Sequence, residues 1–301
     1  MKTETSNFLD SKVLSRLMAL PLNARQAMIG GVSGRHRSPV RGSSIEFAQY
    51  RKYVPGDDTR RLDWRTWGRT DRFYIKEFEA DTNLRLALIV DASGSMAYGP
   101  KDATRLDFCR RLGGTMGYLA AHQGDAVGLW GVGKDHRQKI PAKRGASHLR
   151  LVLDQLAQLE PKGETTILES LHEAAEQISQ RALVVVASDF FVEPAQLKHA
   201  LEHLRFRKHD VALFHVLDQV EIDFDFDRPA RFVEMEGGET LMADPSLIAR
   251  RYRDAVKQYL AEMDDVICAT GADYHRVMLK EPYEDVLARF LLARLQRKGR
   301  G

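Results

Sequence analysis

From Leu84 onward the chain switches repeatedly between two hydrophobic periods, and each switch marks an element. The apolar run Leu84–Val90 has strand length and no polar face, so it reads as a strand buried on both sides. Thr104–His122 then places Leu106, Cys109, Leu112, Met116 and Leu119 at helical spacing. Ala126–Val132 reads as the next strand, in a hairpin with residues near Gln138–Ala142. Leu149, Val152, Leu153, Leu156 and Leu159 mark one helix, and Leu168, Leu171, Ala175 and Ile178 a second. Strand Leu183–Ala187, helix Pro194–Leu204 and strand Val211–Val216 continue the pattern. Arg231–Glu236 resembles a short edge strand, closed by the turn Gly237-Gly238. A long helix over Pro245–Ala261, a strand over Tyr274–Leu279 and a final helix over Tyr283–Gln296 follow. Alternation of this kind predicts the α/β class, a mostly parallel sheet flanked by helices on both faces. There is no internal repeat.

In such sheets ligands sit at the carboxyl ends of the strands. The first buried strand runs straight into Asp91-Ala92-Ser93-Gly94-Ser95, an acid and two hydroxyls at alternating positions. Oxygen donors on a tight loop suit a hard divalent cation such as Mg²⁺, and Gly94 lets the backbone turn among them. The same five residues also suit a plain strand-to-helix connection in which Ser93 or Ser95 caps the helix. Two further loops bear on the choice. Gly163-Glu164-Thr165-Thr166 opens a predicted helix, and Ser188-Asp189 follows the strand Leu183–Ala187. Singly, the threonine is an N-cap and Asp189 a solvated acid. Jointly, they predict one oxygen-rich edge of the sheet.

On these residues the chain resembles a von Willebrand factor A-type domain. Asp91, Ser93 and Ser95 match that family's Asp-x-Ser-x-Ser, Thr165 its second-loop threonine and Asp189 its third-loop aspartate. Thr166 adjoins Thr165 and competes for that place. The resemblance implies a metal-ion-dependent adhesion site holding Mg²⁺ or Mn²⁺, whose shell an Asp or Glu of a protein partner often completes. A narrower resemblance runs from about Leu14 to Leu295. It rests on Gly34-Arg35-His36-Arg37-Ser38, Arg41-Gly42, Glu46-Phe47 and Arg51-Lys52-Tyr53. Pro55-Gly56-Asp57-Asp58, Arg60-Arg61-Leu62-Asp63-Trp64 and Tyr74-Ile75-Lys76-Glu77-Phe78 continue it. This series is similar to the bacterial domain-of-unknown-function family 58, whose members carry a von Willebrand A-like domain. The family implies a neighbourhood as well. Its proteins are commonly encoded beside MoxR-type AAA+ ATPases, with chaperone-like tasks in assembling or maturing other proteins.

Composition narrows the alternatives. With 44% hydrophobic and 29% charged residues the 301-residue chain is an ordinary globular sequence. No apolar run approaches the roughly 18 residues of a membrane span, and the N-terminus lacks a signal-peptide pattern, so a cytoplasmic protein is expected. Cys109 falls on the apolar face of a predicted helix, and Cys268 lies far from it without metal-ligand spacing.

Residues 1–83 form an Arg/Trp-rich N-terminal segment with 15 Lys/Arg against 10 Asp/Glu, whereas 84–301 hold 30 against 32. The expected division is therefore 1–83 and the von Willebrand A-like 84–301. Gly56-Asp57-Asp58 reads as a turn after Pro55. Asp63, Trp64 and Trp67 alternate with Arg60, Arg61, Arg65 and Arg69. Such a stretch suits an ion-paired aromatic scaffold, a nucleobase-stacking face or a partner surface.

Three function classes follow. A non-enzymatic module gripping an acidic residue of a protein partner leads. A Mg²⁺-dependent phosphoryl-transfer enzyme is its rival, but Ser93 stands where haloacid-dehalogenase-like enzymes carry a second Asp. There is also no phosphate loop, no Gly-x-Ser-x-Gly and no His-Glu-x-x-His. Nucleic-acid binding rests only on the basic N-terminal third.

Overall fold

The computed structural model describes residues 8–22, 45–52, 64–70, 73–80, 84–134, 138–226, 230–233, 235–237 and 240–298. The Gly56-Asp57-Asp58 turn and Arg60, Arg61 and Asp63 lie outside them, as does Gly238 of the expected Gly237-Gly238 turn. The chain divides into two compact units, Ala27–Asn83 and the rest.

The elements in order are α1 (Ser11–Leu17), β1 (Ile45–Lys52), α2 (Trp64–Thr70), β2 (Tyr74–Ala80), β3 (Arg85–Asp91) and α3 (Arg105–His122). Next come β4 (Ala126–Val132), β5 (Lys139–Lys143), α4 (Ala146–Ala157), α5 (Ile167–Gln177), β6 (Leu183–Ser188) and α6 (Pro194–Phe206). Then follow β7 (Asp210–Leu217), α7 (Gln219–Asp223), β8 (Ala230–Val233), β9 (Thr240–Ala243), α8 (Pro245–Thr270), β10 (Asp273–Met278) and α9 (Tyr283–Lys298).

In the smaller unit β1 and β2 pair antiparallel, with a register shift between Phe47 and Gln49. Trp67 stacks on Phe73 with ring centroids 5.8 Å apart.

The larger unit is built on one six-stranded sheet of order β10-β7-β6-β3-β4-β5, parallel except for β5. This is the expected α/β architecture, a mostly parallel sheet between helical layers. β3 is central, and its strand period of two feeds both layers. Ala87 and Ile89 pack with Leu171, Leu201 and Met263 of α5, α6 and α8. Leu88 and Val90 lie on the α3 side, facing the helix at Gly113.

α3 begins at a capping box, in which the Thr104 hydroxyl and Asp107 carboxylate satisfy each other's backbone N–H groups. Residues 8–22 pack along α3, with Asp10 capping α1 and Leu22 N bonded to Gln123 Oε1 at 3.0 Å.

Two expectations need correcting. Arg231–Glu236 is not an edge strand of the main sheet. Among the described residues its β8 part pairs with β9 alone, in a separate two-stranded ribbon. The long helix does not stop at Ala261 but reaches Thr270, because buried Met263 and Ile267 continue its apolar face. Gly271, at φ +70°, then supplies the left-handed residue that ends it.

The chain moves from β3 outward to β4, then returns to the other side of β3 for β6. The carboxyl ends of β3 and β6 therefore flank the point where strand order reverses, where open α/β sheets place ligands.

Candidate metal centre

Asp91 ends β3 and is fully buried, and Ser188 and Asp189 end β6 beside it. Asp91 Oδ1 accepts from Ser93 N at 2.9 Å, which folds the loop back on its own strand end. Asp91 Oδ2 accepts from Ser188 Oγ at 2.7 Å and from Thr165 Oγ1 at 3.1 Å. Ser93 Oγ and Ser95 Oγ lie 3.1 Å apart, and the Ser95 hydroxyl helps to hold the Asp189 carboxyl down.

The structure thus brings together Asp91, Ser93, Ser95, Thr165 and Asp189 from three loops. Thr165 rather than Thr166 touches Asp91; Thr166 sits at the N-cap of α5 without a side-chain capping bond. The Gly94 N–H donates to Gly163 O at 2.8 Å, fastening the first loop to the second.

Further residues complete the surroundings, and of these the strand-end rule singles out only Ser188. Ser188 holds Asp91. Arg105, 1% exposed, donates through Nη1 to Asp189 Oδ2 at 2.9 Å and to Ser95 O at 3.3 Å. Its Nη2 pairs with Glu221 of α7, and Tyr98 lies under its guanidinium at 4.9 Å. Glu236, between β8 and β9, accepts from Thr165 N through Oε2 at 3.2 Å.

Burial pushes the Asp91 carboxyl above its usual range, although hydroxyl and backbone donors pull it back. Asp189 is pushed up to about 7, first by burial and then by the charge of Asp91, with Arg105 opposing both. Ionised, Asp91, Asp189 and Glu221 face one guanidinium among the described residues, an excess of about two negative charges. Charges so placed are costly unless a cation joins them.

The side chains of Asp91, Ser93, Ser95, Thr165 and Asp189 offer hard oxygen donors alone, and hard oxygen with excess negative charge suits Mg²⁺ or Mn²⁺. Among the described residues no group of three or more His, Cys, Asp or Glu side chains is placed to hold a metal. The donor set here is instead two carboxylates and three hydroxyls. The residues present therefore fit a divalent cation.

A family model described as "Protein of unknown function DUF58" matches residues 49–263. The chain belongs to the DUF58 family. Among related sequences, the uncharacterized protein Rv1480 of Mycobacterium tuberculosis (strain H37Rv) is 27% identical over 218 residues, covering 71% of this chain and 68% of that one. Among solved structures, an aerotolerance-related membrane protein of Bacteroides fragilis is 15% identical, covering 71% of this chain and 99% of that one at a TM-score of 0.49. The SpRpn10 VWA domain is 13% identical, covering 69% of this chain and 95% of that one at a TM-score of 0.40. Among the described residues, no helix of this DUF58 protein is long and apolar enough to cross a membrane.

Proposed function

We propose that this chain is a non-enzymatic protein-binding module that grips an acidic residue of its partner through Mg²⁺ or Mn²⁺. Asp91, Ser93, Ser95 and Thr165 would hold the ion, with Asp189 joining directly or through water. The bound ion supplies a Lewis-acidic position that a carboxylate can occupy. The reading is carried by one observation: two buried carboxylates at adjacent strand ends, ringed by hydroxyls and short of positive charge. The chain's own residues orient the site. Ser188 and Thr165 fix the Asp91 carboxylate, and Arg105 fixes Asp189.

Resemblance to the family supports a MoxR-type AAA+ ATPase as the partner, in chaperone-like assembly or maturation of client proteins within the cytoplasm. Affinity capture from native lysate tests this, using wild type and Asp91→Ala, each in Mg²⁺ and in chelator. The expected result is an AAA+ ATPase held by wild type in Mg²⁺ and lost in the other three samples. Equal retention in all four removes the metal loop as the docking surface.

A further inference from the structure

The β8–β9 hairpin is no part of the main sheet, yet its turn is seated on the metal loop. A Cβ added at Gly94 would meet the Met235 carbonyl oxygen at 2.1 Å and Glu236 Cα at 3.3 Å. Only glycine admits a backbone that close. In this seat Glu236 Oε2 is bound to Thr165 N at 3.2 Å, and the Thr165 hydroxyl is bound in turn to Asp91 at 3.1 Å. A third loop acid is thereby brought against a focus that already has more carboxylates than cations. Among the described residues its hydrogen-bond anchor is one backbone N–H. Where Asp91 and Asp189 are ionised, they repel this carboxylate. With a divalent cation between them, the sign of the interaction reverses.

We propose that Glu236 is the chain's own occupant of the acidic-ligand position at the Asp91 centre. The hairpin covers the centre with an internal carboxylate, and a partner's Asp or Glu engages by displacing it. This rests on the metal-dependent reading above and adds a competitor to it. A ligand tethered by a short turn acts at millimolar effective concentration. It therefore strengthens metal binding while raising the threshold for an incoming carboxylate. The plainer role for Glu236 is to accept a backbone N–H just before α5, which stabilises the helix without touching a metal.

Mn²⁺ titration of the full chain separates these roles. Electron paramagnetic resonance counts bound ions, and water-proton relaxation reports the exchangeable waters on them. Glu236→Gln is expected to weaken Mn²⁺ binding on the order of tenfold. It should also raise the relaxation enhancement per bound ion, because water enters the vacated position. Acetate, as a carboxylate probe, should quench that enhancement at lower concentration than in wild type.

If Glu236→Gln matches wild type in affinity and relaxation while Asp91→Ala loses Mn²⁺, the internal occupant is overturned and the metal centre stands. A fall in Tm with unchanged Mn²⁺ behaviour makes Glu236 a helix cap only, which also overturns it. Failure of wild type to bind Mn²⁺ overturns both readings.

Discussion

Arg105 sets how much negative charge the centre tolerates unaided. It is buried and divided between Asp189 and Glu221, so truncation strands two carboxylates at once. Arg105→Met is expected to lose about 3–5 kcal/mol in urea unfolding without added metal. A loss under about 1 kcal/mol would mean that the pairing is immaterial.

His209 makes a second prediction at the same scale. Its Nδ1 accepts from Ala182 N at 3.2 Å, so the ring is neutral in the folded state. Burial, and then the charges of Arg207 and Arg181, depress it to about 4. The unfolded chain therefore takes up the proton first. The His209 contribution is complete above the unfolded value near 6.5 and is lost as pH falls towards 4. Moving from pH 7 to pH 5 should cost about 2 kcal/mol through this residue. His209→Asn should flatten that part of the unfolding profile.

The convergence of Asp91, Ser93, Ser95, Asp189 and the Thr165-Thr166 pair was legible in the sequence because the strand-end rule turns local motifs into a shared location; which threonine meets Asp91 was not. Arg105 was not, because at the start of α3 it reads as a solvent-facing polar residue. Glu221 of the short α7 and Glu236 of the β8–β9 turn join from far along the chain, with no periodicity or spacing to link them to Asp91.

At the scale of elements, β3 carries the most consequence. Its alternate residues serve two helical layers and its last residue is Asp91. Leu88 is 1% exposed, and Leu88→Ala is expected to cost about 2–5 kcal/mol by chemical denaturation. A near-zero change would show that the α3 layer is not packed as described.

Strands with uniform apolar runs and helices with clear spacing were readable, as in β3, β6 and α3. The fate of Arg231–Glu236 was not. A strand pattern specifies a pleated segment but not which sheet it joins, and β8 found β9 rather than the main sheet. The true end of α8 was present in the sequence as Leu260, Met263 and Ile267. The acidic residues Glu262, Asp264 and Asp265 between them obscured the apolar face.

At the scale of the molecule, the two ends of the sheet are divided in labour. At the amino ends of β7 and β10, Arg294 of α9 binds Asp210 at 2.8 Å and Asp273 at 2.9 Å, all with side chains almost fully buried. This ties the last helix to the sheet. At the carboxyl ends of β3 and β6 three carboxylates, Asp91, Asp189 and Glu221, face the single guanidinium of Arg105, and the further cation proposed to join them comes from solvent.

Thermal unfolding of wild type and Asp91→Ala, with and without Mg²⁺, tests that arrangement most directly. A ligand at a hundred times its Kd stabilises the folded state by about 2.7 kcal/mol. For a unit of this size that is a rise in Tm of roughly 5–10 °C. Wild type is expected to show this Mg²⁺-dependent rise and Asp91→Ala to show none. No rise in wild type, or an equal rise in both, would contradict a metal centre at Asp91.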